Sequence, residues 1–390
     1  MAEVISLGCR LNLSESEDLR AMLADEEGLV VVNSCAVTNE AVRQTRQAIR
    51  KARRDHPDAR LIVTGCAAEV ERAALAALPE VDGLLSNQSK LDPRAWNIAA
   101  KADGSQSSSH TRAFIAVQNG CDHACTFCII PQGRGTSRSS PVDRALREVE
   151  RHLAYGAREV VLTGVDLTSW GHDLPGQPRL GKLVAALLDA FPDLPRLRLS
   201  SVDGIEIDAE LFELLAHEPR VMPHVHLSLQ HGDDLILKRM KRRHLRHHAV
   251  DLVQRLQELR PELAIGADLI AGFPTESEAA HAANISIIRE LRIVHGHVFP
   301  YSARLGTAAA RMPQTAASTI KLRAAELRKA VADVRAVWLR DLIGKPQQVL
   351  AERDGTGHAP NFARVHLPPG IQAGTIVTVT PTRIVEGLLA

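Results

Sequence analysis

The sequence predicts an α/β protein with an N-terminal parallel α/β domain (residues 1–100), an incomplete TIM-type (β/α)6 barrel (residues 113–342) and a small C-terminal β-barrel (residues 343–390). Strand-like and helical runs alternate in the first two regions, which is typical of parallel sheets. Beyond residue 342, short strands recur about ten residues apart, which indicates a small β-barrel. The 390 residues are enough for two or three such domains.

Each strand predicted in the N-terminal domain leads to a cysteine. The apolar runs that begin at Glu3, Leu29 and Leu61 are followed by Cys9, Cys35 and Cys66. A helical stretch follows each cysteine, with Ser14 and Glu17 as a predicted capping box for the first and Thr38 or Asn39 as the cap of the second. The carboxyl ends of parallel strands lie along one edge, so the three cysteines can converge on one centre. The alternative is that each is a core residue of its own strand.

A second cysteine triplet lies in one loop, NGCDHACTFCIIPQGRGTSR, with Cys121, Cys125 and Cys128 at Cys-x3-Cys-x2-Cys spacing. Structural zinc and electron-transfer clusters normally have four protein ligands, whereas three thiolates leave one position open. A [4Fe-4S] cluster with an exposed iron therefore fits this loop. The alternatives are a zinc site completed by His123 and a set of buried, unligated cysteines.

Residues 101–112, which include ADGSQSSSH, are polar and predict a flexible linker to the barrel. The barrel strands are predicted at Phe114–Gln118, Glu159–Thr163, Arg196–Ser200, His224–Gln230, Ala264–Ile270 and Val294–Pro300. The helices are predicted at Asp143–Tyr155, Leu180–Ala190, His247–Leu259 and Ser277–Leu291, with a long helix at Ala317–Leu342 after the last strand. The second cysteine triplet follows the first barrel strand, on the face where barrel enzymes carry their chemistry.

Two basic regions are candidates for RNA contacts. The run KRMKRRHLRHH (Lys238–His248) follows the fourth barrel strand, where clustered Lys and Arg can contact phosphates. The C-terminal domain offers the exposed candidates Arg353, His358, Arg364, His366 and Arg383. The alternative for both regions is ordinary surface charge.

Composition limits the class of protein. A net charge of +1 and an aromatic content of 3% argue against a uniformly basic RNA binder with broad stacking surfaces. The start of the chain does not resemble a signal peptide, and no apolar run is long enough to span a bilayer, so we expect a soluble cytoplasmic protein without membrane contact. Six cysteines in such a chain favour metal ligands over disulfides.

Ten motifs together resemble the radical S-adenosylmethionine (SAM) methylthiotransferases over nearly the whole chain: GCRLN, VVNSCAVT, VTGCA, QNGCDHACTFCIIPQGRG, LTGVDL, RLRLSS, HVHLSLQHG, LKRM, DLIAGFP and HVFPYSARLGT. GCRLN and QNGCDHACTFC are most similar to the branch that modifies C2 of N6-threonylcarbamoyladenosine at position 37 of transfer RNA. The resemblance also leaves two other substrates open, isopentenyladenosine-37 and a ribosomal-protein aspartate. A non-enzymatic iron-sulfur or zinc RNA-binding module is the alternative from another class.

The resemblance implies two [4Fe-4S] clusters and SAM as cofactors. Cys121, Cys125 and Cys128 would hold the radical-generating cluster, and Cys9, Cys35 and Cys66 the auxiliary cluster that carries the sulfur. The residues implied to contact SAM are Phe127, Thr163, Gly164, Ser200 and Gln230. The implied partners are the anticodon loop of a transfer RNA, an electron donor and a sulfur source, and the C-terminal domain would be an RNA-binding TRAM domain.

Overall fold

The computed structural model describes residues 2–99 and 111–390, so residues 101–110 of the predicted linker lie outside the described part. By the contacts between residues, the chain divides into two compact units. The first comprises Met1–Ser107, Gln118–Arg138 and Ser302–Ala310; the second comprises Ser108–Val117, Ser139–Tyr301 and Arg311–Ala390. The bounds of the N-terminal domain, the linker, the barrel and the C-terminal domain stay a prediction. No helix in the described residues is long and apolar enough to cross a bilayer.

A parallel sheet with the strand order β1-β2-β3-β4 forms the centre of the first unit. The strands are β1 (Glu3–Ser6), β2 (Leu29–Ser34), β3 (Arg60–Gly65) and β4 (Gly83–Leu84). The helices are α1 (Arg10–Met22), α2 (Asn39–Asp55), α3 (Cys66–Val70) and α4 (Arg72–Ala76). The register pairs Ser6 with Asn33 and Ser34 with Gly65, so the strands that precede the cysteines end at the same edge.

The helix starts of this unit were predicted in part. Thr38 caps α2 as expected, because its side chain accepts a hydrogen bond from the backbone N–H of Ala41 at 3.1 Å. The predicted capping box of Ser14 and Glu17 is wrong, because α1 already begins at Arg10, with Cys9 at the N-cap. Both residues therefore lie inside the helix, where Ser14 is buried.

The following elements run from residue 112 to residue 341. The strands are β5 (Arg112–Ala116), β6 (Gln118–Asn119), β7 (Arg138–Ser139), β8 (Glu159–Thr163), β9 (Arg196–Leu199), β10 (His224–Gln230), β11 (Ala264–Ala271) and β12 (Ile293–Pro300). The helices are α5 (Ile130–Arg134), α6 (Val142–Ala154), α7 (Leu180–Ala190), α8 (Ala209–His217), α9 (Asp234–Arg239), α10 (Arg246–Leu259), α11 (Glu278–Glu290) and α12 (Ala317–Asp341).

Six parallel strands of the second unit form an incomplete barrel, as predicted. They fall into two sheets, β5-β8-β9 and β10-β11-β12. Two isolated parallel bridges, Leu197 with Val221 and Val202 with Leu227, bring the two sheets together. The α/β fold class is therefore confirmed. The predictions omitted the short helices α8 and α9, although Asp208 and Asp233 cap them with their side chains.

The C-terminal region forms a mixed six-stranded sheet with the order β16-β13-β14-β15-β18-β17, which is consistent with the predicted small β-domain. Its strands are β13 (Gln347–Ala351), β14 (Thr356–His358), β15 (Arg364–His366), β16 (Ile376–Val379), β17 (Ile384–Val385) and β18 (Leu388–Leu389). Buried side chains of Leu339, Val349, Val365 and Leu389 form its core, so the end of α12 packs into this sheet.

A loop of the C-terminal sheet closes the amino end of the barrel. Phe362 stacks on His224, the first residue of β10, with ring centroids 5.0 Å apart. The guanidinium carbon of Arg198 lies 4.8 Å from the centroid of the same ring. Arg198 also donates to both carboxylate oxygens of Glu159, at 2.9 and 3.2 Å, and to the carbonyl of Pro360 at 3.1 Å. The buried guanidinium of Arg198 thus has partners in both the barrel and the C-terminal loop.

Candidate functional site

The first cysteine triplet converges at the carboxyl edge of the β1–β4 sheet, as the alternation of strands and helices predicted. Cys9 is exposed at the N-cap of α1, whereas Cys35 and Cys66 are buried. Burial raises the pKa of the Cys35 thiol to about 11, partly opposed by a backbone hydrogen bond with Val37, and the charges of Cys66 and Cys9 raise it further. Such mutual electrostatic effects require the three sulfurs to lie near one another.

Glycine at position 8 allows this approach. Gly8 has a φ of +94°, and a Cβ added there would lie 2.6 Å from the Cβ and 2.8 Å from the Sγ of Cys35. Any side chain at this position would therefore collide with Cys35 and favour a different backbone conformation. The turn between β1 and Cys9 thus depends on glycine.

The second triplet lies in the loop between β6 and α5. The backbone N–H of His123 donates to Cys121 Sγ, and that of Ile130 donates to Cys128 Sγ, each at 3.4 Å. The loop is closed by a hydrogen bond from the N–H of Cys121 to the carbonyl of Gly135 at 3.1 Å. Amide hydrogen bonds to sulfur stabilise the thiolate form that metal ligation requires, and they are a recognised influence on cluster potential.

The spacing of the thiols distinguishes between kinds of metal centre. In the described residues, no group of three cysteine sulfurs lies within a mutual distance of 4.8 Å. A mononuclear tetrahedral zinc site with Zn–S bonds of about 2.3 Å needs sulfurs about 3.8 Å apart. The wider arrangement suits a polynuclear cluster, whose ligands bind different metal atoms.

A buried ionic network that was not predicted from the sequence joins the two cysteine regions within the first unit. Arg134, six residues after Cys128, donates to both carboxylate oxygens of Glu15 at 2.8 and 2.9 Å. Lys90 donates to the same carboxylate at 2.7 Å, and all three side chains are almost fully buried. The network therefore contains two cations for one carboxylate.

The surplus positive charge of this network acts on Cys66. Burial raises the pKa of the Cys66 thiol, while the charges of Arg134 and Lys90 oppose that rise. Asn87 connects the two regions, because its side-chain amide donates to the carbonyl of Gly133 at 2.6 Å and lies 3.8 Å from Cys66 Sγ. Two cations near three thiolates fit an anionic metal centre at this position.

The second unit brings together four of the residues implied to contact SAM. Thr163 ends β8, with Gly164 directly after it; Ser200 follows β9, and Gln230 ends β10. The N–H of Ser200 donates to the carbonyl of Leu162 at 2.9 Å. Ser200 Oγ is buried and has no hydrogen-bond partner among the described residues, as expected for a group that binds a polar ligand. Gln230 has a φ of +68°, an uncommon backbone conformation that is often found at functional sites.

The fifth implied SAM contact, Phe127, belongs to the first unit, where it is half-buried in the turn before Cys128. The carbonyl of the adjacent Thr126 accepts a hydrogen bond from the N–H of Ala309 at 2.8 Å. The turn is therefore held by a segment from much later in the chain.

Much of the basic run Lys238–His248 serves to hold the second unit together. Arg242 pairs with the buried Asp203 at 2.7 Å, and Arg243 pairs with Glu206 at 2.6 Å. Arg246 pairs with Glu290. These contacts favour the structural interpretation of the run over phosphate binding. In the C-terminal sheet, Arg364 and His358 are likewise paired with acids, whereas Arg353 and Arg383 are exposed.

Two family models match the chain. Residues 115–284 match the model described as the radical SAM superfamily, and residues 2–86 match an uncharacterized protein family, UPF0004. Among solved structures, a radical SAM methyltransferase, TsrM from Kitasatospora setae, matches with a TM-score of 0.58 at 16% identity, covering 77% of this chain and 76% of that one. The cobalamin-dependent radical SAM enzyme OxsB matches with a TM-score of 0.52 at 8% identity, over 85% and 56% of the respective chains. At these identities the structures support the fold alone.

Three curated relatives match between 81% and 99% of the chain. A threonylcarbamoyladenosine tRNA methylthiotransferase, MtaB of Rickettsia prowazekii, is 42% identical over 99% of this chain and 96% of its own length. MtaB of Bacillus subtilis is 31% identical over 81% of this chain and 76% of its own. A tRNA-2-methylthio-N(6)-dimethylallyladenosine synthase of Cereibacter sphaeroides is 30% identical over 98% and 96%. The chain therefore belongs to the radical SAM methylthiotransferases, enzymes that use two [4Fe-4S] clusters and SAM.

Proposed function

We propose that this enzyme adds a methylthio group at C2 of N6-threonylcarbamoyladenosine at position 37 of transfer RNA. The 42% identity to an enzyme named for that nucleoside supports this substrate over isopentenyladenosine, since the relative named for dimethylallyladenosine is 30% identical over a similar length. A ribosomal-protein aspartate is the remaining alternative within the family. Family membership favours the enzyme over a non-catalytic RNA-binding module.

The observation that carries the proposed mechanism is the presence of both cysteine triplets in one compact unit. We assign Cys121, Cys125 and Cys128 to the cluster that binds SAM, and Cys9, Cys35 and Cys66 to the auxiliary cluster. When bound, the two clusters supply the electron that cleaves SAM to a 5′-deoxyadenosyl radical and the sulfur that is transferred. The backbone amides of His123 and Ile130 donate to the sulfurs of Cys121 and Cys128, and such hydrogen bonds favour sulfur as a metal ligand.

The remaining residues bind and orient the reactants. Ser200 offers a buried hydroxyl without a partner among the described residues. Thr163 and Gln230 end the barrel strands β8 and β10, and Gly164 directly follows Thr163, so we assign all four residues to the binding of SAM. Phe127 would shield the cluster loop beside Cys128. Arg134 and Lys90 offset the negative charge of the auxiliary centre. We propose that the enzyme acts in the cytoplasm. Its proposed partners are the anticodon loop of transfer RNA, an electron donor and a sulfur source.

The substrate is tested by mass spectrometry of transfer-RNA nucleosides from cells that lack the protein. We expect 2-methylthio-N6-threonylcarbamoyladenosine to disappear, its unthiolated precursor to accumulate, and the wild-type gene to restore the product. Loss of the 2-methylthio isopentenyladenosine nucleoside instead would move the enzyme to that branch. An unchanged nucleoside profile with an undermodified ribosomal protein would contradict an RNA substrate.

The assignment of the two triplets is tested by paired substitutions. Cys125→Ala should abolish 5′-deoxyadenosine formation, whereas Cys35→Ala should preserve it and abolish sulfur transfer. Each variant should retain about four irons per chain where the wild type holds about eight. Thiolated RNA from the Cys35→Ala enzyme would contradict the assignment.

A further inference from the structure

Three side chains inside the barrel of the second unit bring metal-binding atoms together. His226 Nε2 lies 3.1 Å from Asp268 Oδ1, and His297 Nδ1 lies 3.2 Å from the same oxygen. All three donor atoms lie within 4.8 Å of one another. None of these residues is needed in the assignments made above for the clusters or for SAM.

The parallel register of three adjacent strands creates the cluster. His226 lies on β10, Asp268 on β11 and His297 on β12, and Asp268 is directly paired with His297 in the sheet. His226 is opposite Gly266, and a Cβ added at Gly266 would lie 2.3 Å from His226 Nδ1. The imidazole of His226 therefore occupies space that only a glycine on the neighbouring strand leaves open.

The distances and the chemistry of these donors match a metal site. Zinc bound to imidazole nitrogen and carboxylate oxygen at about 2.0–2.1 Å in tetrahedral geometry places the donor atoms about 3.3–3.4 Å apart. Two neutral imidazoles and one carboxylate carry a net charge of about −1, which favours a divalent cation. Two histidines with one carboxylate form a donor set that binds first-row transition metals and leaves positions open.

We propose that His226, Asp268 and His297 bind one divalent transition-metal ion within the barrel, separate from the iron-sulfur clusters. Asp268 is partly buried, and the side chain of His297 is 59% exposed, so an ion has a route to the site and the exposed ring can turn to complete the coordination. The three protein ligands leave an open position for water or for an oxygen or nitrogen of a bound substrate. The site does not depend on which substrate the enzyme modifies.

The same three residues could instead form only hydrogen bonds, with Asp268 accepting from both rings. Zinc binding separates the two cases, because a hydrogen-bonded network without a metal role would retain no ion. The experiment uses the full-length, cluster-loaded enzyme under anaerobic conditions, equilibrated with zinc and then dialysed. Zinc and iron are measured for the wild type, His297→Ala and Gly266→Ala, with His217→Ala as the control for an exposed histidine in the same unit, 56% exposed on α8.

We expect about one zinc per chain in the wild type and in His217→Ala, and zinc affinity weaker by on the order of 100-fold in His297→Ala at unchanged iron content. Gly266→Ala should also lose zinc, although it removes no ligand. X-ray absorption at the zinc edge should show nitrogen and oxygen neighbours without sulfur. Equal zinc retention in His297→Ala and wild type, no retained zinc in the wild type, or sulfur in the zinc shell would each overturn the proposal.

Discussion

Replacing Glu15 by Gln should strongly destabilise the first unit. Glu15 is the one carboxylate of the buried network, and it accepts hydrogen bonds from Arg134 and from Lys90. Burial raises its pKa, but the charges and hydrogen bonds of Arg134 and Lys90 more than reverse that effect, so the pKa lies below its ordinary value. Glutamine keeps the shape of the side chain but removes the charge, which leaves Arg134 and Lys90 without the buried carboxylate that pairs with both.

The size of the effect follows from the burial of the pair. Removing one partner of a buried ion pair costs about 3–5 kcal/mol, because the remaining charge stays desolvated. With an m-value of about 2 kcal/mol per molar urea, this loss would lower the unfolding midpoint by about 2 M. Adding Lys90→Met to Glu15→Gln should recover about 1 kcal/mol or more, since it removes one of the two buried cations that have lost their carboxylate partner.

The measurement is anaerobic urea unfolding of the cluster-loaded enzyme, followed by circular dichroism. Glu40→Gln is the matched control, because Glu40 forms an exposed helix ion pair with Arg43 and its loss should leave the midpoint unchanged. A loss below about 1 kcal/mol in Glu15→Gln, or a double variant less stable than the single one, would refute the reasoning.

Three further outcomes are expected. Burial raises the pKa of Glu159, but Arg198, Arg112 and Arg196 outweigh it and hold that pKa at about 2, below the ordinary 4.5. The ionised Glu159 should therefore stabilise the fold by about 3 kcal/mol above pH 4.5, and this stabilisation should be lost as the pH falls towards 2. Acid unfolding of the cluster-free Glu159→Gln variant should show a shallower pH dependence over that range than the wild type does. Phe362→Ala should weaken the attachment of the C-terminal sheet by on the order of 2 kcal/mol and speed its release by limited proteolysis between α12 and β13. Ser200→Val should raise the Kd for SAM about tenfold in equilibrium binding with iron content unchanged, and an unaltered Kd would remove Ser200 from the binding site.

The alternation of strands and helices made most of the fold predictable. The strand β8 is buried along its whole length and reads as a short apolar run, whereas β10 alternates polar and apolar residues. Both were predicted with the bounds that the structure has. The two-residue strand β4 and the short helices α8 and α9 carry too few residues for a clear periodic pattern. The start of α1 was misplaced because Ser14 and Glu17 have the spacing of a capping box, although both lie inside the helix.

The cysteines were predictable as candidates because they follow strands or share one short loop. Their charged surroundings were not predictable, because Lys90 and Arg134 follow Glu15 by 75 and 119 residues. The same holds for His226, Asp268 and His297, which become neighbours only through the register of three strands. Sequence spacing therefore indicates ligands on one loop better than partners on separate elements.

The contacts between the barrel and the C-terminal loop around Phe362 limit how this enzyme can be truncated or recombined with its homologues. Arg196 and Arg198 belong to the barrel strand β9, but their guanidinium groups donate to carbonyls of the C-terminal region, those of Gln348, His358 and Pro360. A truncated enzyme that ends after α12 would leave these guanidinium groups without those acceptors and open the barrel floor to water. The barrel therefore depends on the C-terminal region for its packing. An exchange of this region between homologues should keep the loop around Phe362 together with the barrel residues that it contacts.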